Sequence, residues 1–230
     1  MPQIKLRPRL HAVANLVFAK HKVADIGSDH AYLAAFLVEQ GHTDAAIVGE
    51  VAKGPLENAK HTVAAQSLGQ RIDCRLADGL AAIRPEDGVE SVVIAGMGGL
   101  LIKKILNDQR QLGPFKQLVL QPNTDQDALR AWLVENDYAI TKEEMVKEGV
   151  HRYEIIVAEP GKQTLSEADL TFGPFLRLEK GPIFLAKWTH EKNRLQLVLD
   201  RLAEANQQTS TKYLEVKEMI DKIEKELAEK

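Results

Sequence analysis

The chain has 230 residues, of which 44% are hydrophobic and 27% charged, and a formal net charge of −3. This size suits one α/β domain with a modest extension, and the charge neither requires nor excludes a nucleic-acid partner. The single cysteine, Cys74, excludes an intramolecular disulfide and is expected to be a small buried residue. The sequence has no apolar run long enough to span a membrane and no apolar leader at its start, so a cytoplasmic protein without a membrane partner is expected.

Strands and helices alternate through the first 160 residues. Apolar residues at helical spacing predict a helix over residues 9–19, and short apolar runs predict strands at 23–26, 45–49, 72–76, 91–95 and 118–120. Two further strands, 138–146 and 152–158, are joined by a turn at Gly149. The pattern predicts a doubly wound parallel sheet with one antiparallel strand, in a domain of residues 1–160.

The pattern changes over residues 161–230. A loop-rich passage leads to two amphipathic helices, with apolar stripes over 195–205 and 216–227 and a polar turn at 206–212. An antiparallel helical hairpin is the natural arrangement, and a dimerising coiled coil is the alternative. The stripes are too short to decide between them, and a monomer is the expectation.

The first strand runs into a tight turn at Asp25-Ile-Gly27. Glycine lets the backbone turn here and approach a ligand, although the turn could also be purely structural. A dinucleotide fingerprint would place further glycines at positions 29 and 32, where this chain has Asp29 and Tyr32. A pyrophosphate would meet a carboxylate there, so the loop favours a ligand with an amino group and a cationic centre. His30 either positions a substrate or caps the next helix.

Acidic residues follow the next two strands. Glu50 stands 23 positions after Gly27, close to the spacing of an acid that hydrogen-bonds a ribose diol. Asp78, followed by Gly79, could accept a hydrogen bond from the amino group of an adenine. Each could instead be an ordinary strand-end residue. Because the strand ends line up in a doubly wound sheet, the set predicts a nucleoside site more strongly than any one member.

The fourth and fifth strands also end in distinctive segments. Gly96-Met97-Gly98-Gly99 would leave backbone groups open and make room for a flat ligand or base, or would simply be a flexible connection. Gln121-Pro122-Asn123 supplies amide donors and acceptors suited to a base edge. The alternative is a turn before a helix, with Asp125 as its expected N-cap.

Residues 1–24 carry five lysines and arginines and no acid. This face could attract phosphates, and Arg7 and Arg9 are the candidate contacts, or it could be an ordinary solvated surface. Tyr153 could stack on a base or pack within the fold. The histidines lack metal-ligand spacing, so no metal is expected.

Together, these motifs resemble class I S-adenosylmethionine-dependent methyltransferases, and more closely the bacterial TrmK family. The resemblance covers nearly the whole chain and is carried by the Arg9-Leu pair, residues 23–33, 95–99 and 120–123, and the C-terminal helices. Members of that family methylate N1 of adenine 22 in tRNA. The resemblance implies that the cofactor S-adenosyl-L-methionine contacts Asp25, Gly27, Ser28 and Asp29, with Glu50 on its ribose and Asp78 near its adenine. It also implies that the C-terminal hairpin helps to hold tRNA.

The expected mechanism is in-line displacement, in which adenine N1 attacks the methyl group. Because N1 is largely unprotonated near neutrality, no strong general base is required. Asp29 is expected to stabilise the positive charge that develops on the purine, and Asn123 to orient the base. Arg7, Arg9 and the C-terminal helices would hold the tRNA body through phosphate contacts.

Other functions remain open at this stage. The fourth strand lacks the Asn/Asp-Pro-Pro-aromatic pattern of exocyclic-amine methyltransferases, which suits a ring-nitrogen target. The alternatives are a class I RNA methyltransferase with another target base, a nicotinamide-dependent oxidoreductase and a non-catalytic RNA-binding module. The Asp29 loop opposes the oxidoreductase, and the row of strand-end acids opposes the binding module.

Overall fold

The computed structural model describes residues 4–108 and 112–229, and the chain divides into two units, Met1–Leu165 and Ser166–Lys230. The strands of the first unit are β1 (Val23–Ile26), β2 (Ala46–Glu50), β3 (Ile72–Leu76), β4 (Ser91–Met97), β5 (Gln117–Pro122), β6 (Tyr138–Glu148) and β7 (His151–Pro160). Its α-helices are α1 (Pro8–Leu16), α2 (Tyr32–Glu39), α3 (Lys53–Ala65), α4 (Gly99–Asp108) and α5 (Gln126–Glu135).

The seven strands form one sheet in the order β3-β2-β1-β4-β5-β7-β6. Strands β1 to β5 are parallel, and β7 runs antiparallel to both β5 and β6. Strands β1, β2 and β5 are buried along their whole length, as parallel strands covered by helices on both faces must be. The predicted doubly wound sheet with one antiparallel strand is confirmed.

Several local predictions were wrong in detail. Helix α1 ends at Leu16 rather than near residue 19, because Val17 adopts an extended backbone. Cys74 is only half-buried, since β3 is an edge strand of the sheet. Asp125 precedes α5 but does not cap it: its backbone is left-handed, with φ of 57°, and its carboxylate accepts a hydrogen bond from the Thr124 hydroxyl at 2.6 Å.

A buried ionic cluster joins α5 to the β6–β7 hairpin. Arg130 of α5 is fully buried and pairs with Glu143 of β6 at 2.8 Å and with Glu154 of β7. Removing one partner of such a cluster leaves an uncompensated charge in the interior, so the three groups hold one another in place. The cluster fixes the helix that follows Asn123 against the strand that carries Tyr153.

The second unit contains α6 (Glu167–Phe172), α7 (Leu176–Glu179), α8 (Pro182–Glu204) and α9 (Thr211–Ala228). The two long helices pack through the apolar stripes expected from the sequence, burying Leu195, Val216, Ile220 and Ile223. A six-residue connection joins them, and Lys192 of α8 approaches Glu224 of α9 at 3.4 Å, as in an antiparallel pair. No helix in the described ranges is both long and apolar enough to cross a membrane.

Candidate active site

The candidate site lies at the carboxyl ends of the central parallel strands. Strand β1 is flanked by β2 on one side and β4 on the other, so the chain order reverses between β1 and β4. Open α/β sheets bind ligands in the crevice at such a switch point. The structure therefore brings the sequence-predicted segments that follow β1 to β5 to a single edge of the sheet.

Gly27 turns the backbone sharply at the end of β1. Its φ is +75°, and its N–H donates to the carbonyl of Gly49 at 2.7 Å, which ties the turn to β2. A Cβ at this position would lie 1.9 Å from Cε of Met97. The turn thus forms a cradle whose positive φ favours glycine, with Met97 of the glycine-rich segment on its β4 side.

Asp25 is a buried acid directly below this turn. Its side chain is only 4% exposed, and its Oδ2 atom finds no hydrogen-bond donor among the described residues. Burial raises the pKa of Asp25 from 3.8 to about 6, while the hydrogen bond from the Ser28 side chain works in the opposite direction. An ammonium or sulfonium group in the crevice would give this carboxylate its missing partner, so the residues fit a cationic ligand.

The raised pKa predicts a pH-dependent effect of Asp25→Asn on stability. Because the pKa of Asp25 is higher in the folded chain than the ordinary 3.8, its contribution favours folding at low pH and is lost as the pH rises through about 6. Above that range the buried ionised acid costs about 3 kcal/mol. In denaturant unfolding we expect Asp25→Asn to be more stable than the wild type at pH 8 and nearly equal at pH 4. Equal effects at the two pH values would contradict this account.

The acids of β2 and β3 lie along the same edge. Glu50 is 8% exposed, and its Oε1 accepts a hydrogen bond from the backbone N–H of Ala52 at 2.7 Å. This bond fixes one carboxylate oxygen at the strand end and leaves the other available to a diol. Asp78 is exposed just beyond β3, and Gly79 follows it with φ of +52° above the buried Leu80.

Asp29 lies on the loop that covers the β1 end of the crevice. Its side chain is 58% exposed, with one oxygen 3.4 Å from Nε2 of His30 and the other 3.4 Å from Nδ2 of Asn58. The His30 ring stacks on Tyr32, with the ring centroids 5.1 Å apart. Ala31, which has no capping group, occupies the N-cap of α2, so the helix-cap interpretation of His30 is wrong.

The glycine-rich segment at the end of β4 was expected to leave open space for a ligand, but Gly99 has another role. A Cβ on Gly99 would lie 2.3 Å from the carbonyl oxygen of Asp125, and the Gly99 N–H donates to the Thr124 carbonyl at 2.8 Å. Gly99 thus allows the loops after β4 and β5 to pack backbone against backbone, rather than leaving open space for a ligand. Gly96, by contrast, is exposed at the site.

Gln121 and Asn123 belong to a hydrogen-bonded network. Gln121 Nε2 donates to Asn123 Oδ1 at 3.1 Å, and Asn123 Nδ2 donates to the Gly96 carbonyl at 2.8 Å. Asn123 is exposed, whereas Gln121 and Pro122 are buried. The expectation that Gln121 and Pro122 offer a base edge directly is therefore corrected: of the three, Asn123 is the one presented at the surface.

Arg9 also belongs to this network, although its sequence position indicated a phosphate contact. Its guanidinium is half-buried, donates to Gln121 Oε1 and lies 5.4 Å from the centre of the Tyr153 ring. Its backbone N–H donates to Glu148 Oε2 at 2.9 Å. Only Arg7 of the two arginines has an exposed side chain.

The sequence analysis had not singled out several of the contacting residues, among them Asn58 beside Asp29, Glu148 bound to the Arg9 backbone and Thr124, whose carbonyl binds Gly99. Each residue lies far along the chain from its partner or in a segment without a motif. Over the described ranges, no group of three His, Cys, Asp or Glu side chains is arranged to hold a metal ion.

The strand order, the antiparallel seventh strand and the strand-end acids define a Rossmann-like methyltransferase of class I. Residues 23–225 match the TrmK family, described as tRNA (adenine(22)-N(1))-methyltransferase. The chain belongs to this family.

Individual relatives match over almost their whole length. The tRNA (adenine(22)-N(1))-methyltransferase of Bacillus subtilis strain 168 is 36% identical over 231 residues, covering 97% of this chain and 96% of the relative. A Streptococcus pneumoniae protein solved with S-adenosyl-L-methionine is 39% identical with a TM-score of 0.88, covering 95% of this chain and 98% of that one. TrmK of M. capricolum, solved with S-adenosyl-homocysteine, is 29% identical with a TM-score of 0.87, covering 96% and 97%.

Proposed function

We infer that this protein is an S-adenosylmethionine-dependent tRNA methyltransferase that modifies N1 of adenine 22. The observation that carries this conclusion is the row formed by Asp25, Gly27 and Glu50 at the switch point, in a chain that matches this family over residues 23–225. Since the substrate is tRNA, we place the reaction in the cytoplasm.

The cofactor would supply a methyl group that is activated because it is bonded to a positively charged sulfonium sulfur. The unpartnered Oδ2 atom of Asp25 and the Gly27 cradle fit such a cation, and the second carboxylate oxygen of Glu50 fits its ribose. Ser28 and His30 line the same loop, and Asp78 with Gly79 would hold the adenine. These residues bind and orient the cofactor.

The target base meets the other side of the crevice. Asn123, exposed beside Gly96, would orient the adenine, and Tyr153 offers an aromatic face beside Arg9. Adenine N1 donates its lone pair to the methyl carbon as the bond to sulfur breaks, and the purine becomes positively charged. Asp29 would stabilise this charge as the arriving tRNA excludes water from the loop.

A single carboxylate-to-amide change tests the role of Asp29. We expect Asp29→Asn to lower kcat roughly 10-fold with little change in S-adenosylhomocysteine affinity, because the shape is kept and the charge is lost. Single-turnover kinetics and calorimetry measure the two quantities separately. Normal turnover with normal cofactor binding would exclude the electrostatic role, and a loss confined to cofactor affinity would make Asp29 a binding residue only.

The tRNA body would be held outside the crevice. Arg7 is exposed next to α1, and the C-terminal helices are a second candidate surface. We expect Arg7→Ala to weaken tRNA binding and to reduce the slope of log affinity against log salt by about one unit, since one phosphate contact is lost. Lys60→Ala, which removes an exposed lysine paired with Glu57 on α3, is the matched control. An unchanged slope in Arg7→Ala would rule out the phosphate contact.

The direct test of the function is methyl transfer from labelled S-adenosylmethionine to unmodified tRNA, followed by mapping of the modified nucleotide. Label at N1 of adenine 22 is the expected result. Label on another base would indicate a different RNA methyltransferase, and absence of label with an active cofactor would overturn the assignment.

A further inference from the structure

A continuous chain of hydrogen bonds crosses the base side of the site. Arg9 Nη1 donates to Gln121 Oε1, Gln121 Nε2 donates to Asn123 Oδ1 at 3.1 Å, and Asn123 Nδ2 donates to the Gly96 carbonyl at 2.8 Å. It begins on α1, passes through the end of β5 and finishes at the end of β4. Its one exposed amide is that of Asn123.

The two ends of this chain have opposite hydrogen-bonding character. A guanidinium can only donate, and a backbone carbonyl can only accept. The amides of Gln121 and Asn123 could each rotate by a half-turn without changing shape, which would exchange donor and acceptor. Arg9 and the Gly96 carbonyl at the two ends favour the orientation seen here, and so does the Pro122 carbonyl, which accepts from Gln121 Nε2 at 3.1 Å. Asn123 Oδ1 retains a second lone pair with which it can accept another hydrogen bond.

Arg9 is itself held firmly. Its guanidinium lies over the Tyr153 ring, its backbone N–H binds Glu148, and Nη1 is 3.3 Å from where a Cβ on Gly96 would be. A half-buried arginine packed between three elements is poorly placed to follow a phosphate backbone. Its position suits a role inside the site.

We propose that Arg9 is a positioning residue that reinforces the amide orientation of Asn123 through Gln121 and thereby sharpens the selection of a 6-aminopurine over a 6-oxopurine. The proposal rests on the proposed function and deepens it. Asn123 Oδ1 accepts from the exocyclic amine of adenine, whereas the O6 atom of hypoxanthine would place two acceptors together. Two acceptors that face each other without a hydrogen between them weaken binding in a closed site. The orientation of the Asn123 amide therefore discriminates between the two bases.

The test measures the affinity of the full-length protein for two tRNA transcripts, with adenosine or inosine at position 22, in the presence of S-adenosylhomocysteine. We expect the wild type to bind the adenosine transcript about 10-fold more tightly. Arg9→Gln, whose amide can donate or accept, should reduce that ratio by about 3-fold, because the Pro122 and Gly96 carbonyls still favour the original orientation. Arg9→Lys keeps a donor-only group and should restore most of the preference, which a merely structural role would not predict.

A second variant changes the network without removing Arg9. Gln121→Glu presents only acceptors, so it turns the Asn123 amide towards itself, and we expect the adenosine preference to be lost or reversed. Arg7→Gln is the matched control, since it should weaken binding of both transcripts equally and keep their ratio. An unchanged ratio in both Arg9→Gln and Gln121→Glu would overturn the proposal. If the wild type fails to methylate adenine 22, the proposed function fails; if it succeeds while these ratios stay constant, only the role of Arg9 fails.

Discussion

Gly27→Ala is expected to lower the affinity for S-adenosylhomocysteine by roughly 100-fold or more. The backbone at Gly27 has φ of +75°, which is strained for alanine. The new Cβ would also lie 1.9 Å from the Met97 Cε atom, so the end of that side chain must shift. The backbone strain and the contact with Met97 both act at Gly27, where the ligand is expected to approach the backbone most closely.

Calorimetric titration measures this loss, and Gly54→Ala is its matched control. Gly54 lies in the first turn of α3, where a Cβ would meet nothing within 4 Å. We expect the control to bind the ligand normally. Normal ligand affinity in Gly27→Ala would show that the cradle is not the cofactor site.

Asn123→Ala is expected to lower kcat for tRNA methylation by roughly 100-fold, while the affinity for S-adenosylhomocysteine stays within about 2-fold of the wild type. Its amide joins Gln121 to the Gly96 carbonyl and is exposed where the base is expected. Alanine removes the group proposed to orient the base and takes one of the two acceptors from Gln121 Nε2, which keeps its bond to the Pro122 carbonyl. The cofactor residues on β1 and β2 are not touched.

Single-turnover methylation and calorimetry with S-adenosylhomocysteine give the two quantities. Asn107→Ala, at an exposed position on α4, is the control and is expected to behave as the wild type. An equal loss of cofactor affinity in Asn123→Ala would move Asn123 from the base side of the site to the cofactor side.

The sequence was most informative about the site where an acidic residue lies in or at the end of a predicted strand. Asp25 stands inside a short apolar run and Glu50 ends another, and a doubly wound sheet necessarily brings such ends to one edge. The fold and the gathering of these strand-end residues at one edge could therefore be predicted from local patterns, whereas their contacts with the cofactor stay a prediction. The departure at Asp29 from a dinucleotide fingerprint was also visible in the sequence alone.

The base side could not be predicted in the same way, because its contacts join distant segments. Arg9 and Gln121 are 112 positions apart, and the basic segment around Arg9 has the composition of a phosphate-binding face. Gly99 was predicted to belong to an open loop, but its lack of a side chain allows its backbone to pack closely against that of Asp125. Arg130 is flanked by apolar residues, but nothing in the sequence links it to Glu143 and Glu154, the distant partners that allow its complete burial.

The central claim is that N1 of adenine 22 is the nucleophile, and single-atom replacement in the tRNA tests it most directly. Transcripts would carry 1-deazaadenine or 7-deazaadenine at position 22 and be incubated with the enzyme and labelled S-adenosylmethionine. We predict that the 7-deaza transcript is methylated and that the 1-deaza transcript, which has a C–H group in place of N1, is not. Methylation of the 1-deaza transcript would contradict the account.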